Sequence, residues 1–261
     1  MHSLTIGADP EVFLINQEGN YVSSIGLIGG SKRSPRRLER AGFALQEDNV
    51  AVEFNIPPAT NIAEFVESIQ WSVQRITDEV IDRGLSVTIT PAAIFPEAEL
   101  QHPNAKMAGC DPDFNAWTKF MNPRPRVGAG TLRTGAGHVH IGITPKPKFS
   151  REAFIKSLDL HLGVGSVLLD GDVLRKQLYG KAGAYRPTHY GLEYRVLSNF
   201  WLKSKELTEW VYTNTHKAFE MIEKEGEEFF DKIGQEIIEC INTSNKEMSA
   251  NLMQRYNIAG V

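Results

Sequence analysis

Two cysteines in 261 residues, Cys110 and Cys240, are too few and too far apart for a disulfide framework or a thiolate zinc site. A reducing, cytoplasmic setting is the expectation. Long hydrophobic runs are missing as well. No stretch of about 18 apolar residues occurs, and the opening Met1-His2-Ser3-Leu4 has neither the basic segment nor the apolar core of an export signal, so no membrane contact is expected. The chain also lacks a basic excess: 28 Lys and Arg stand against 32 Asp and Glu, a formal net charge of -4. That balance disfavours a protein that holds a nucleic-acid polymer mainly through its phosphates. The usual nucleotide fingerprints are absent too. No G-x-x-x-x-G-K-[ST] occurs, and Gly128-Ala129-Gly130 neither completes G-x-G-x-x-G nor opens a helix after a strand. A nucleotide site in this chain would have to be built on a sheet.

Length and composition fit one catalytic domain over 1–261, ending in a helical segment from about residue 204. Residues 5–15 alternate and are rich in β-branched and aromatic side chains. Gln17-Glu18-Gly19-Asn20 then supplies a turn before 21–28, which predicts an opening hairpin. A strand is expected over 51–56, stopped by Pro57-Pro58. Ile62, Phe65, Val66, Ile69, Val73, Ile76 and Val80 form the stripe of a helix capped by Thr60 and closed by Gly84. Further strands are expected over 85–90, 138–143 and 192–200, a helix over 151–169, and a long amphipathic helix or helix pair over 204–241. Residues 91–127, rich in Pro, Asn, Asp and Gly, read as a long functional loop region. Without a strict βαβ alternation, the class is α+β, with a mixed or antiparallel sheet backed by helices.

The strands carry ionisable residues two apart, which puts each pair on one face. Asp9 pairs with Glu11, His138 with His140, and Glu193 with Arg195, while Glu53 sits between the apolar Val52 and Phe54. A half-solvated sheet produces alternation by itself. These positions, however, hold carboxylates, imidazoles and a guanidinium instead of the Thr, Lys and Ser of an ordinary wet face. Carboxylates gathered on one surface resist ionisation unless cations neutralise them. Oxygen ligands without thiolates favour Mg²⁺ or Mn²⁺, and such ions complete their shells with water and phosphate. Arg195 beside Glu193 would then stabilise a transferring phosphoryl group. The densest basic run, Lys32, Arg33, Arg36, Arg37 and Arg40, reads either as a solvated loop or as an electropositive lid over an anionic substrate. Gly135-Ala136-Gly137 either permits close backbone approach or forms a flexible turn.

Four segments in this order resemble the glutamine synthetase-like carboxylate-amine ligases, most closely the phage-associated amidoligases termed COOH-NH2 ligase type 2. They are Gly7-Ala8-Asp9-Pro10-Glu11, Asp48-Asn49-Val50-Ala51-Val52-Glu53-Phe54-Asn55, Gly137-His138-Val139-His140-Ile141-Gly142 and Tyr190-Gly191-Leu192-Glu193-Tyr194-Arg195. The resemblance implies a curved antiparallel sheet forming a funnel, ATP at one end and two or more divalent ions midway. It implies Glu11 and Glu53 as ligands of one metal, and Asp9, His138 and Glu193 as ligands of another. Asp9 departs from the glutamate usual there. It also implies nucleotide or phosphate contacts from His140, Arg195, Arg175, Tyr179 and Lys181, and catalytic roles for Glu53, Arg186 and Arg195. Residues 109–113 would shape an acceptor pocket.

The chemistry implied is phosphorylation of a substrate carboxylate by ATP and capture of the acyl phosphate by an amine. It needs no enzyme nucleophile, so Ser31, Ser198 and Cys110 carry no covalent role. Partners would be small-molecule or peptide substrates bearing a carboxylate and an amine, and the setting the host cytoplasm for a phage protein. Two alternatives stay open: a metal-dependent hydrolase, for which His2, His102, His161, His189 and His216 show no supporting spacing, and a non-catalytic nucleotide-binding protein of the same fold.

Overall fold

A computed structural model describes residues 2–106, 113–123, 130–171 and 173–261. Cys110, most of the 109–113 segment and Gly128-Ala129 lie outside the described residues.

The chain does not open with one continuous strand. β1 (Ser3–Ala8) and β2 (Glu11–Asn16) are separated by Asp9-Pro10. Proline has no N–H for a ladder and holds its predecessor in extended backbone, so the strand breaks there and changes partners. The elements that follow are β3 (Tyr21–Val22), β4 (Arg36–Arg37), β5 (Ala44–Asp48), β6 (Ala51–Asn55), α1 (Ile62–Val80), β7 (Leu85–Thr88), β8 (Ala92–Ile94), β9 (Phe114–Asn115), β10 (Leu132–Thr134) and β11 (Val139–Thr144). Next come α2 (Arg151–Leu158), α3 (Val164–Leu169), α4 (Arg175–Leu178), β12 (Ala184–Pro187), β13 (Gly191–Tyr194), α5 (Lys205–Glu225), α6 (Glu227–Thr243) and α7 (Lys246–Arg255).

One antiparallel sheet has the order β1-β11-β13-β12-β9; another runs β3-β2-β6-β5-β4, with β7 also paired to β2, and β8 and β10 form a separate ribbon. The two larger sheets meet at the Asp9-Pro10 break. Ile56 N–H donates to Ala8 O at 3.1 Å, Phe54 N–H to Pro10 O at 3.2 Å and Glu11 N–H to Ala136 O at 2.9 Å. They therefore form one curved wall, and the α+β class with a curved antiparallel sheet backed by helices is borne out.

The oily face of that wall, with Ile6, Val12, Val52, Phe54, Val139, Ile141, Leu192 and Tyr194, packs in one cluster with Phe65, Ile69 and Ile76 of α1 and Val211 and Phe219 of α5. Each such side chain stabilises the fold by about 1.5–3 kcal/mol on burial. A smaller core of Phe13, Val50, Ala51, Ala93, Phe95, Leu100 and Ala105 lies beneath the β5–β6 turn.

Local chemistry accounts for several departures from expectation. Asn61, not Thr60, caps α1: its side-chain oxygen accepts from Glu64 N–H at 3.0 Å, while Glu64 reaches back to Thr60 N–H at 2.9 Å. Gly226, at φ 77°, divides the expected 204–241 helix into α5 and α6, so a helix pair is present. The helix over 151–169 contains a π-helical turn at Asp159–Gly163. The strand expected over 192–200 ends at Tyr194, and a 3₁₀ turn occupies Asn199–Lys203. Gly137 is a close approach, since a Cβ there would lie 2.2 Å from Ser198 O and 2.4 Å from Trp201 Nε1.

Candidate active site

Strand register assembles the polar side chains. Gly7 of β1 faces His140 of β11, His140 faces Glu193 of β13, and Glu193 faces Arg186 of β12. In the other sheet Glu11 of β2 faces Glu53 of β6, which faces Gln46 of β5. Cross-strand neighbours share a face, so each sheet contributes one polar row, and Asp9 sits at the break between the sheets.

Asp9, His140 and Glu193 bring ligand atoms within 4.8 Å of one another, and Glu11, Asp48 and Glu53 form a second such group. His140 Nε2 lies 3.0 Å from Asp9 Oδ1, and His138 Nδ1 lies 3.5 Å from the same oxygen and 3.4 Å from Glu193 Oε1. Both imidazoles thus reach Asp9. The Tyr190 hydroxyl contacts His140 Nδ1. Arg195 bonds Glu193 Oε1 and lies 3.3 Å from His138 Nδ1 and 3.5 Å from Asp113 Oδ2. Arg186 donates through Nη1 to Glu193 Oε2 at 3.1 Å, while its buried Nη2 makes no hydrogen bond among the described residues.

Charges here are strongly coupled to burial. Burial opposes ionisation of Asp9, but His140 and His138 outweigh it and hold the carboxyl well below its ordinary range. Burial also opposes the charge on His140, where Asp9 prevails and raises the imidazole. The two groups lie in an attractive contact, His140 Nε2 against Asp9 Oδ1. Burial, then the Arg195 charge, pushes His138 down to about 4, so it is neutral at pH 7 and has a lone pair to offer. In the other group burial and the charge of Asp48 push Glu11 up to about 8. Burial, followed by Asp9, Asp48 and Glu11, drives Glu53 well above its ordinary value, and burial raises Asp48.

Three carboxylates raised mainly by burial, with charge repulsion added at Glu11 and Glu53, are a donor set that a divalent cation would relieve, so these residues fit Mg²⁺ or Mn²⁺. Asp9, Glu193 and an imidazole fit a second such ion, although Arg195 and a cation would compete for Glu193 Oε1.

Two cavities meet the cluster. One is lined by Glu11, Asp48, Arg133, His138, Tyr179 and Arg195, among others. The other, of about 460 Å³, is lined by Thr5, Gly7, Asn55, Pro58, His140 and Tyr190, among others. Of the remaining residues singled out in the sequence, Arg175 borders the first cavity while donating to Val196 O at 2.9 Å and Arg195 O at 3.4 Å. Lys181 is not brought to the cluster; its ammonium points to Asn242 O at 3.4 Å. His161 is buried with Nε2 3.2 Å from Met221 Sδ, a packing position.

Sequence reasoning missed Asp48 as a member of the acidic group. Its signal was Gln46 and Asp48 two apart in a short strand. Arg133 was missed too, and nothing in its neighbourhood marked it.

Residues 130–253 match the family described as phage phiEco32-like COOH.NH2 ligase-type 2. The resemblance to that family is thereby borne out over a stretch that contains the third and fourth segments, with His138, His140, Glu193 and Arg195; segments 7–11 and 48–55 lie outside the matched residues. Among solved structures, one described as apo GmaS without ligand aligns at TM-score 0.44 and 11% identity, covering 98% of this chain and 70% of that one. A GmaS/ADP complex aligns at 0.40 and 12%, covering 98% and 69%. Glutamine synthetase of Plasmodium falciparum aligns at 0.40 and 10%, covering 82% and 52%. Comparison with curated proteins gives no match.

Proposed function

We propose, on the premise that the chain is similar to the type 2 COOH-NH2 ligases over residues 130–253, that it joins a carboxylate to an amine at the expense of ATP. The observation that carries this reading is the convergence of Asp9, His140 and Glu193 with Glu11, Asp48 and Glu53 on one curved wall, beside Arg186 and Arg195. Carboxylates beside the neutral imidazole of His138 suit hard divalent ions, and guanidinium groups suit phosphate.

In the proposed reaction a substrate carboxylate oxygen attacks the γ-phosphorus of ATP, the bond to the ADP oxygen breaks, and an acyl phosphate forms. The amine nitrogen then attacks the acyl carbon, phosphate leaves, and the nitrogen loses a proton. Divalent ions held by Glu11, Asp48 and Glu53 and by Asp9, Glu193 and an imidazole would spread the charge of the transferring phosphoryl group. Arg195, fixed against Glu193 and near Asp113, supplies a buried positive charge that needs no reorganisation. Arg186 offers its second Nη to an anion. The Tyr190 hydroxyl on Nδ1 fixes the ring of His140, leaving Nε2 toward Asp9.

The whole chain acts as one catalytic domain in this reading, in a cytoplasmic setting and on small-molecule or peptide substrates. Among the described residues no helix is long and apolar enough to cross a membrane. The test is ADP release from ATP with Mg²⁺ or Mn²⁺ over an amino-acid and peptide panel, comparing the native chain with Glu53→Gln and Arg195→Ala. Substrate-stimulated release lost in both folded variants supports the reading, and metal-dependent hydrolysis indifferent to ATP refutes it.

A further inference from the structure

The carboxylate of Asp48 sits at the last position of β5, immediately before a two-residue turn into β6 in which Asp48 pairs with Ala51. Such a residue is poorly placed to stand against two other carboxylates. Glu53 shares a hydrogen bond with it, but burial and the charge of Asp9 oppose its ionisation, and a strand end frays more readily than a strand centre. The turn is nevertheless held from two sides.

Below, Val50 is 1% exposed within the smaller core. Its carbonyl accepts from Ser24 N–H at 3.1 Å, and Ala51 O accepts from the Ser24 hydroxyl at 2.7 Å. Across the cavity, Arg133 of β10 donates through Nε to Asn49 Oδ1 at 3.2 Å. Asn49 has φ 57°, in the left-handed region that asparagine tolerates better than most residues.

Three further donors of Arg133 are also committed. Nη1 serves Gly130 O at 2.9 Å and Leu132 O at 2.8 Å, and Nη2 serves Ala105 O at 2.7 Å. Its planar fork thus ties the 105 segment, its own strand and the Asn49 side chain into one rigid unit. Arg133 lines the cavity, yet it cannot turn toward a ligand there without giving up these bonds.

We propose that Arg133 and Asn49 form a clamp that holds Asp48 in the three-carboxylate group, making Arg133 a positioning residue for a cation site. This rests on the metal reading given above, and adds which residues keep the site assembled before a cation arrives. Outer groups that orient a metal ligand typically matter by about 10- to 100-fold in affinity.

The test is Mn²⁺ binding to the whole chain, followed by calorimetry and by the electron paramagnetic resonance signal of free Mn²⁺, for the native protein, Arg133→Met, Asn49→Ala and the double variant. Each single change is expected to weaken one class of Mn²⁺ site by about 10-fold or more and to leave the other class unchanged. The double variant should be no weaker than the worse single one, because both remove the same clamp. If Arg133→Met fails to fold by circular dichroism, Asn49→Ala alone carries the test. Unchanged Mn²⁺ affinity in Asn49→Ala, or additive losses in the double variant, overturns the clamp while leaving the metal reading intact. Absence of Mn²⁺ binding to the native chain overturns both.

Discussion

Replacing Asp159 tests whether the back of the wall holds the catalytic strand in place. Asp159 is fully buried in the π-helical turn. Its Oδ1 accepts from the Tyr194 hydroxyl at 2.8 Å, and its Oδ2 accepts from Trp117 Nε1 at 2.7 Å and from Gly183 N–H at 2.6 Å. Tyr194 ends β13 between Glu193 and Arg195, so this one carboxylate fastens the chain at the point that carries both, together with two neighbouring loops.

Asp159→Leu leaves two buried donors and the part-buried Trp117 indole N–H unpaired, at about 1–3 kcal/mol for each buried one, against partial relief from removing a buried carboxylate. A net loss of roughly 4 kcal/mol is expected. Asp159→Asn should cost only about 1–2 kcal/mol, since the amide oxygen can accept from Trp117 and Gly183 while the NH₂ group donates to the Tyr194 oxygen.

The pH dependence adds a second reading. Burial raises Asp159 to about 7, against the opposing hydrogen bonds from Trp117, Tyr194 and Gly183. With the folded value above the unfolded one, its contribution to stability is fully present below about pH 4 and is lost as pH rises through about 7. The asparagine variant should lack that component. Urea unfolding at several pH values measures both effects. A leucine variant within about 1 kcal/mol of the native protein, or an asparagine variant costing as much as leucine, would refute the account.

Gly137→Ala should destabilise the fold by about 3 kcal/mol, because its Cβ would collide with the Ser198 carbonyl oxygen and the Trp201 indole; thermal unfolding measures this. Lys181→Ala should leave Mg²⁺-dependent nucleotide stabilisation unchanged, since the ammonium is turned to Asn242 O; a lost shift would place Lys181 at the site instead. Mn²⁺ affinity should rise with pH up to about 8, because burial and Asp48 raise Glu11 to about that value and a cation must displace its proton. Glu11→Gln should flatten the profile, as read by calorimetry in buffers of different ionisation enthalpy.

The polar and oily faces of β1, β2, β6, β11 and β13 were legible because a period of two fixes sides without knowledge of partners. That was enough to name Asp9, Glu11, Glu53, His138, His140 and Glu193, all of which the structure brings to one region. What the period cannot show is which strands are neighbours. The exchange of partners at Asp9-Pro10 hid inside a run that alternates smoothly. β12 carries Arg186 opposite Glu193, yet it is four residues long and ends in Pro187, a composition that reads as loop. Arg133 reaches Asn49 from 84 positions away in the chain, a contact with no local signature. Asp48 was within reach of sequence reasoning, since Gln46, Asp48 and the turn at Asn49 carry the same alternation in a shorter strand.

The proposed metal-dependent ATP site is tested most directly, without knowledge of the acceptor, by thermal stabilisation with a non-hydrolysable ATP analogue. The account predicts a rise in Tm with the analogue that requires Mg²⁺ or Mn²⁺ and disappears in a folded Glu193→Gln variant. A rise of equal size without metal or in that variant, or no rise at saturating analogue and metal, would contradict it.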